Sequence, residues 1–406
     1  MAVERPSRSV SDSKEALYPQ TTLDPELLTL FGITRVGDIT DLDCLGVPVW
    51  FAVRPNSRGL SVSQGKGLTA DQARISAVME AIEGAVAEDT QRHVSAFGSV
   101  EQMLALGQSL IPFASVGRTD VGVLDPARER AWVRGVSIRT NGDVLAPFEL
   151  IGMDFRVDMP WDRRTFHMSS QGLAAGFDYD LVVLHALLEL VENDACFLID
   201  TFETRCAAPR QVLLEHGVNP SLDALVAHLR DLGVVVEFHD LTTDPGVPVV
   251  MASLDRPVIA TDGPTMRRSA GVACRLAPYD AALAALLEAV QSRLTDISGA
   301  RDDLSPHRFQ RDSSAFGLRS AEPAIVALNA ATLELPADGG HPTWRALVDH
   351  LFKGGLEDIF VFSLETGIKG LHVVRVLASG LNAVGGGVQQ MTPRMLERLM
   401  AGRLSS

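Results

Sequence analysis

The 406-residue chain is 46% hydrophobic and 21% charged, the balance of a folded protein, and its 51 acidic against 36 basic residues leave a formal charge of -15. That excess argues against a broad attraction to nucleic acid or anionic lipid, and with no run of 18 or more apolar residues and no apolar signal-peptide core in the first segment the cytoplasm is the expected location. Cys44, Cys196, Cys206 and Cys274 have no paired spacing and the histidines form no HxxxH pair, which speaks against a zinc site or a disulfide framework.

Residues 1–20 read as a mobile polar tail, and 21–406 as one integrated domain, because no Pro/Ser/Gly-rich linker divides the rest. PVWFAVRP from Pro48 is strand-like. SQGKGLTADQARISAVMEAIE follows, a small-residue loop ahead of a helix. Thr69 and Gln72 fit a capping box, and Ser76, Glu80, Glu83 and Ala87 fall on one stripe of that helix. Lys66 stands between two glycines in a chain whose other lysines are Lys14, Lys353 and Lys369; it is either a surface turn residue or a cation for an anionic ligand.

Farther on, AWVRGVSIRTNGDVLAPFELI reads as two strands joined by a type I′ turn at Asn141-Gly142. SSQGLAAGFDYDLVVLHALLELVE repeats the loop-and-helix layout, with His185, Glu189, Glu192 and Cys196 in the stripe. GVVVEFHDL and VPVVMASL read as buried strands, and SAGVACRLAPYDAALAALLEAVQ is a third loop-and-helix unit. The polar pairs are Glu80/Glu83, Glu189/Glu192 and Glu288/Gln291, so one supersecondary unit occurs three times. The fold class expected is α/β, a mixture of helices and sheets built from repeated loop-helix units.

From Leu181 to Val191 the second helix is apolar almost all round, and two carboxylates on such a buried helix cost several kcal/mol each, on the order expected for unpaired charge, unless something compensates them. Two partners are open: arginine from a neighbouring element, or a divalent cation. Hard carboxylate oxygens suit Mg²⁺, whose shell is completed by phosphate and water. Glycines that let backbone N–H groups approach phosphate, and a helix N-terminus behind them, supply the other half of an ATP site. GLSVSQGKG is not a P-loop: its glycine spacing differs and no Ser or Thr follows the lysine. In EAVQSRLTDISGARDD, Gln291, Arg293 and Arg301 offer donors suited to phosphate oxygens.

The blocks SQGKGLTADQARISAVMEAIE, SSQGLAAG with HALLELVENDA, and GVACRLAP with EAVQSRLTDISGARDD resemble, in this order, the YcaO family of ATP-dependent peptide-modifying enzymes. The resemblance implies the α/β fold particular to that family, with ATP among these helices and Mg²⁺ held by Glu80, Glu83, Glu189 and Glu192. It matches Glu189, Glu192 and Asp194 to the second acidic motif. It places Ser76, His185 and Gln291, with Arg293 or Arg301, around the nucleotide, where the loop cation Lys66 would neutralise one phosphate. The implied chemistry is phosphorylation of a peptide amide oxygen, leading to an azoline, a thioamide or an amidine.

Three departures bear on the product. Gly84 follows the first pair where many relatives have Arg, Gln171 stands where many have Asn, and the tail GGGVQQMTPRMLERLMAGRLSS lacks the proline-rich ending of azoline-forming cyclodehydratases. The helix continuation AVAEDTQRH and the absent proline-rich tail look more like the subgroup encoded beside a TfuA protein and linked to thioamide formation. A peptide or protein substrate, a TfuA-like partner that delivers peptide or sulfur, and a homodimer are implied. The alternatives are azoline formation, or an accessory role without catalysis such as in ribosomal-protein methylthiolation.

Overall fold

The computed structural model describes residues 24–202, 210–255, 268–299, 325–335, 337–338, 341–342, 344–383 and 391–404. Its elements begin with Arg35–Asp38 (β1), Val49–Val53 (β2), Val62–Lys66 (β3), Ala70–Ala87 (α1), Val94–Gly98 (β4), Arg130–Ser137 (β5), Asp143–Pro147 (β6), Leu173–Gly176 (β7) and Tyr179–Phe202 (α2). Arg210–Leu213 (β8), Pro220–Asp231 (α3), Val235–Asp240 (β9), Val249–Asp255 (β10), Arg268–Cys274 (β11) and Pro278–Ser298 (α4) follow. The last are Val326–Ala327 (β12), Ala337–Asp338 (β13), His341–Pro342 (β14), Trp344–Lys353 (α5), Asp358–Leu364 (β15), His372–Ser379 (β16) and Pro393–Leu404 (α6); shorter helical turns carry no label.

The strands form sheets ordered β1-β2-β3, β11-β10-β9-β8-β12 and β4-β5-β15-β16-β7, with β6 beside β5 and β13-β14 apart. Pairing is antiparallel except between β12 and β8. This is the mixed helix-and-sheet class expected, and no helix among the described residues is long and apolar enough to cross a membrane.

The three small-residue segments are strands rather than loops: β3, β7 and β11 each end just before a long helix. Their small side chains serve contact with that helix. A Cβ on Gly65 would lie 2.0 Å from the Ala77 nitrogen and 2.4 Å from the Ala73 carbonyl of α1, and one on Gly271 would lie 2.4 Å from the Ala289 nitrogen of α4. Strand and helix backbones touch because nothing stands between them.

Each helix packs on the sheet that ends in its own strand and then reaches the edge strand of the next unit: α1 meets β7, α2 meets β11, and α4 meets β3. The arrangement closes on itself as a ring of three. Each helix has its own buried cluster, with Ala77 and Ile82 of α1 among Phe148 and Phe362, Leu187 of α2 against Trp344, and Leu286 of α4 against Phe238.

Three local expectations are corrected. Asn141-Gly142 is not a two-residue type I′ turn. The Ser137 N–H bonds the Gly142 carbonyl at 3.0 Å, which leaves four residues in the loop, and Asn141 alone takes a left-handed φ of 53°. Beyond Ser137 the chain leaves β6 for β15, where the Ile138 N–H bonds the Ile359 carbonyl at 2.8 Å, so the two strands do not stay paired as far as Thr140. Thr69 caps α1 through the Gln72 N–H at 3.3 Å, but the Gln72 side chain accepts from Leu68 rather than returning to Thr69, so the capping box is half formed. In β9 only Phe238 and His239 are buried, although the strand is central in its sheet, so of the two expected buried strands only β10 is buried along most of its length. The segment 1–20, Cys206 and Arg301 lie outside the described residues.

Candidate functional site

The ring brings the polar pairs to its centre, and the second member of each pair fastens one unit to the next. Glu83 accepts the Ala175 N–H of β7 at 2.9 Å, and Glu192 accepts the Cys274 N–H of β11 at 3.0 Å. Gln291 donates through Nε2 to the Gln64 carbonyl of β3 at 3.2 Å. An edge strand carries unpaired N–H and C=O groups, and a buried one must be satisfied. Where the edge offers N–H a carboxylate serves; where it offers C=O only a donor does, which accounts for an amide in the third helix.

Glu83, Glu189 and Glu192 are half-buried and ringed by protein, as on the floor of a cleft, while Glu80 is exposed above them. Burial, reinforced by Glu80 and Glu189, holds the Glu83 carboxyl well above the usual range. Burial and the nearby Glu192 push Glu189 up to about 8, against the opposing pull of Arg375. Burial raises Glu192 too, opposed by Arg275, the Cys274 N–H and Lys66. Each carboxylate is therefore held where ionisation is unfavourable.

Lys66 ends β3 at this centre and ion-pairs with Glu288. Burial nevertheless draws its ammonium down to about 8, against the pull of Glu80 and Glu192. Arg275, in the third repeated unit, acts on Glu192, and two further cations come from outside the repeated units. Arg375 of β16 and Arg118 are 0% and 2% exposed; Arg375 donates to the Ile151 and Gln171 carbonyls, and Arg118 to the Leu150 carbonyl. Both stand close enough to favour the charged form of Glu189 or to be favoured by it. None of Glu83, Glu189 and Glu192 makes an ion pair among the described residues, and their hydrogen bonds come from backbone N–H groups. Of the two partners open at sequence level, direct arginine pairing is absent for these three.

Other expected residues fall elsewhere. Ser76 is half-buried and His185 exposed, each one turn before its glutamate pair. Arg293 is turned to Asp43, Nε to Oδ2 at 2.6 Å, on the side of α4 that faces the β1-β2-β3 unit. Asp194 is fully buried, ion-paired with Arg394 of α6 and bonded by the Asn382 N–H at 2.7 Å, so it ties the C-terminal helix to α2.

Arg118, Arg275 and Arg375 escaped the sequence reading. Two of them had a visible signal: Arg275 follows β11 as Lys66 follows Gly65, and Arg375 is the lone charge in the apolar run HVVRVLAS. Arg118, a non-glycine residue at φ 69° in a loop, had none.

Among the described residues no three His, Cys, Asp or Glu side chains form a ready-made cage for one ion. That is compatible with Mg²⁺, which is usually bound by one or two carboxylates with phosphate oxygens and water supplying the rest. The donor set fits such an ion, because four carboxyl groups from two helices share one cleft without a cation in direct contact with the three deeper ones.

Comparison with known proteins bears on the whole of this region. A family model described as YcaO cyclodehydratase, ATP- and Mg²⁺-binding, matches residues 64–382. An uncharacterised protein from the tfuA 3′ region of Rhizobium leguminosarum bv. trifolii is 36% identical over 93% of this chain and 91% of its own length. In fold, the chain resembles YcaO from Methanopyrus kandleri bound with AMPPCP and Mg²⁺, with a TM-score of 0.63 at 24% identity over 86% of each chain. It also resembles a heterocyclase in complex with substrate and cofactor, with a TM-score of 0.68 at 19% identity over 86% of this chain, which spans 50% of that longer protein.

Proposed function

Given that this chain belongs to the YcaO family of ATP-dependent peptide-modifying proteins, we propose that it uses ATP and Mg²⁺ to activate a backbone amide of a peptide, and that the product is a thioamide formed with a TfuA-like partner. The observation that carries the nucleotide half is the set of glutamates from α1 and α2 that meet without ion-pair partners for the deeper three. The partner and the product rest on the similarity to the protein of the tfuA 3′ region.

In this reading Glu80, Glu83, Glu189 and Glu192 hold the metal, with Glu83 and Glu192 kept in place by the backbone N–H groups they accept. When bound, ATP would supply the phosphoryl group for the amide oxygen, and Mg²⁺ would offset the negative charge on its phosphates. Lys66 and Gln291 face the nucleotide from β3 and α4, with Ser76 and His185 at its margin. Arg118 and Arg375 lie beneath the glutamates and offset their accumulated charge, and because both arginines are held by carbonyls they cost little reorganisation during reaction.

The test is calorimetric titration of ATP, with and without Mg²⁺, into the wild-type protein and into Glu189→Ala/Glu192→Ala. Binding that requires both the metal and the glutamates supports the reading, and metal-independent binding that survives in the variant sinks it. With a peptide and partner in hand, the product's mass separates the chemistries, since thioamide formation exchanges oxygen for sulfur and azoline formation removes water.

A further inference from the structure

A cavity of about 280 Å³ lies at the far end of α1, walled by Leu30, Ala85 and Val86 and bordered by Arg54, Glu88 and Glu365. It is separate from the glutamate cleft but not remote. Val86 follows Glu83 by three residues on one helix, roughly 5 Å along the axis at 1.5 Å per residue. An extended peptide covers roughly 3.3–3.6 Å per residue, so two or three residues of a substrate whose amide sits at the cleft are more than long enough to span that separation.

The charges of the cavity are not balanced. Its lining holds two arginines, Arg54 and Arg92, against the carboxylates Glu88, Asp89 and Glu365. Arg54 is ion-paired with Glu88, which also accepts from Ser57 and from the Arg58 backbone, and Arg92 is paired with Asp89 at 3.3 Å. Glu365, in the loop between β15 and β16, is exposed at the mouth and has no ion pair among the described residues. A mouth with one unmatched carboxylate above the apolar walls of Leu30, Ala85 and Val86 suits a side chain with an apolar stem and a cationic end.

We propose that this cavity receives a basic side chain, arginine or lysine, of the substrate peptide, two or three residues from the amide that is modified. The proposal rests on the peptide reading above and adds a preference to it. The apolar stem packs on Val86 and Leu30 while the cation meets Glu365, and the buried Arg54–Glu88 pair forms a neutral back wall that neither attracts nor repels it.

The test uses the full chain and N-acetyl-arginine amide as probe, titrated by saturation-transfer NMR against wild type and Glu365→Lys, with N-acetyl-glutamate amide and N-acetyl-norleucine amide as controls. Expected are binding of the arginine probe at least tenfold tighter than of either control, and loss of that preference in Glu365→Lys. Equal binding of the three probes, or an arginine preference that survives in Glu365→Lys, overturns the proposal. Mg²⁺-ATP is titrated into the same two proteins. Glu365 is outside the nucleotide site, so this affinity stays within about twofold between them, and its absence from both would count against the nucleotide reading without altering the result for the cavity.

Discussion

Glu189 sits where its carboxyl, raised to about 8 by burial and Glu192, stays largely protonated at neutral pH when no cation is present. The sign for stability follows from linkage. A carboxyl whose folded value lies above its unfolded one contributes stability below the ordinary carboxylate range and loses it as pH rises through about 8. The ligand-free protein is therefore expected to unfold at lower temperature at pH 9 than at pH 6.5, and Glu189→Gln, which carries no such charge, to show a flatter dependence by scanning calorimetry. The metal requires the ionised form, so Mg²⁺-ATP binding at pH 7 should release protons. Titration in buffers of different ionisation enthalpy would detect this, and proton uptake on binding would contradict the cleft described. At the same scale, the buried Asp194 depends on Arg394. Arg394→Ala strands its charge and should cost about 3–5 kcal/mol in denaturant unfolding, while Asp194→Asn in the same assay should cost less, because a neutral amide needs no cation.

At the scale of elements, the contact between strand and helix decides what is tolerated. Gly65→Ala places a Cβ 2.0 Å from backbone of α1, and neither backbone can move aside cheaply. This substitution, and Gly271→Ala at the matching place in the third unit, should destabilise by about 1–3 kcal/mol or more, as overpacking does, whereas Thr69→Ala should cost about 1 kcal/mol through the lost cap. Urea unfolding of the three variants ranks them, and a Gly65→Ala protein as stable as wild type would be incompatible with this packing. The helices and their polar pairs were legible in the sequence because a 3.6-residue period and a carboxylate on an apolar face are local patterns. The segments before them were misread, since glycine and alanine mark a loop as readily as a strand pressed against a helix. Arg118 and Arg375 were invisible in role, because they reach the cleft from a distant loop and from a strand near the C-terminus, and only the closed fold brings them under Glu189.

For the molecule as a whole, the three units are incomplete separately. The edge of each sheet is covered by the helix of another unit, so no unit buries its own open strand. A single unfolding transition is expected for the described region, coincident by circular dichroism and intrinsic fluorescence. Saturating Mg²⁺-ATP should shift that transition upward as one, because a ligand held by α1 and α2 together stabilises the folded state by mass action. Separate transitions for the two helices would exclude the closed ring.

The pairing of helix to edge strand also bears on how the chain finds its register. In a strand the N–H and C=O of one residue point to one edge and those of the next residue to the other, so a slip of one residue turns away the group that the helix would meet. Here Glu83 and Glu192 each answer an N–H, and Gln291 answers a C=O. The acid, acid and amide of the three helices thus work as a lock with keys of two cuts, in which a misaligned sheet is refused by the same side chains that surround the ligand cleft.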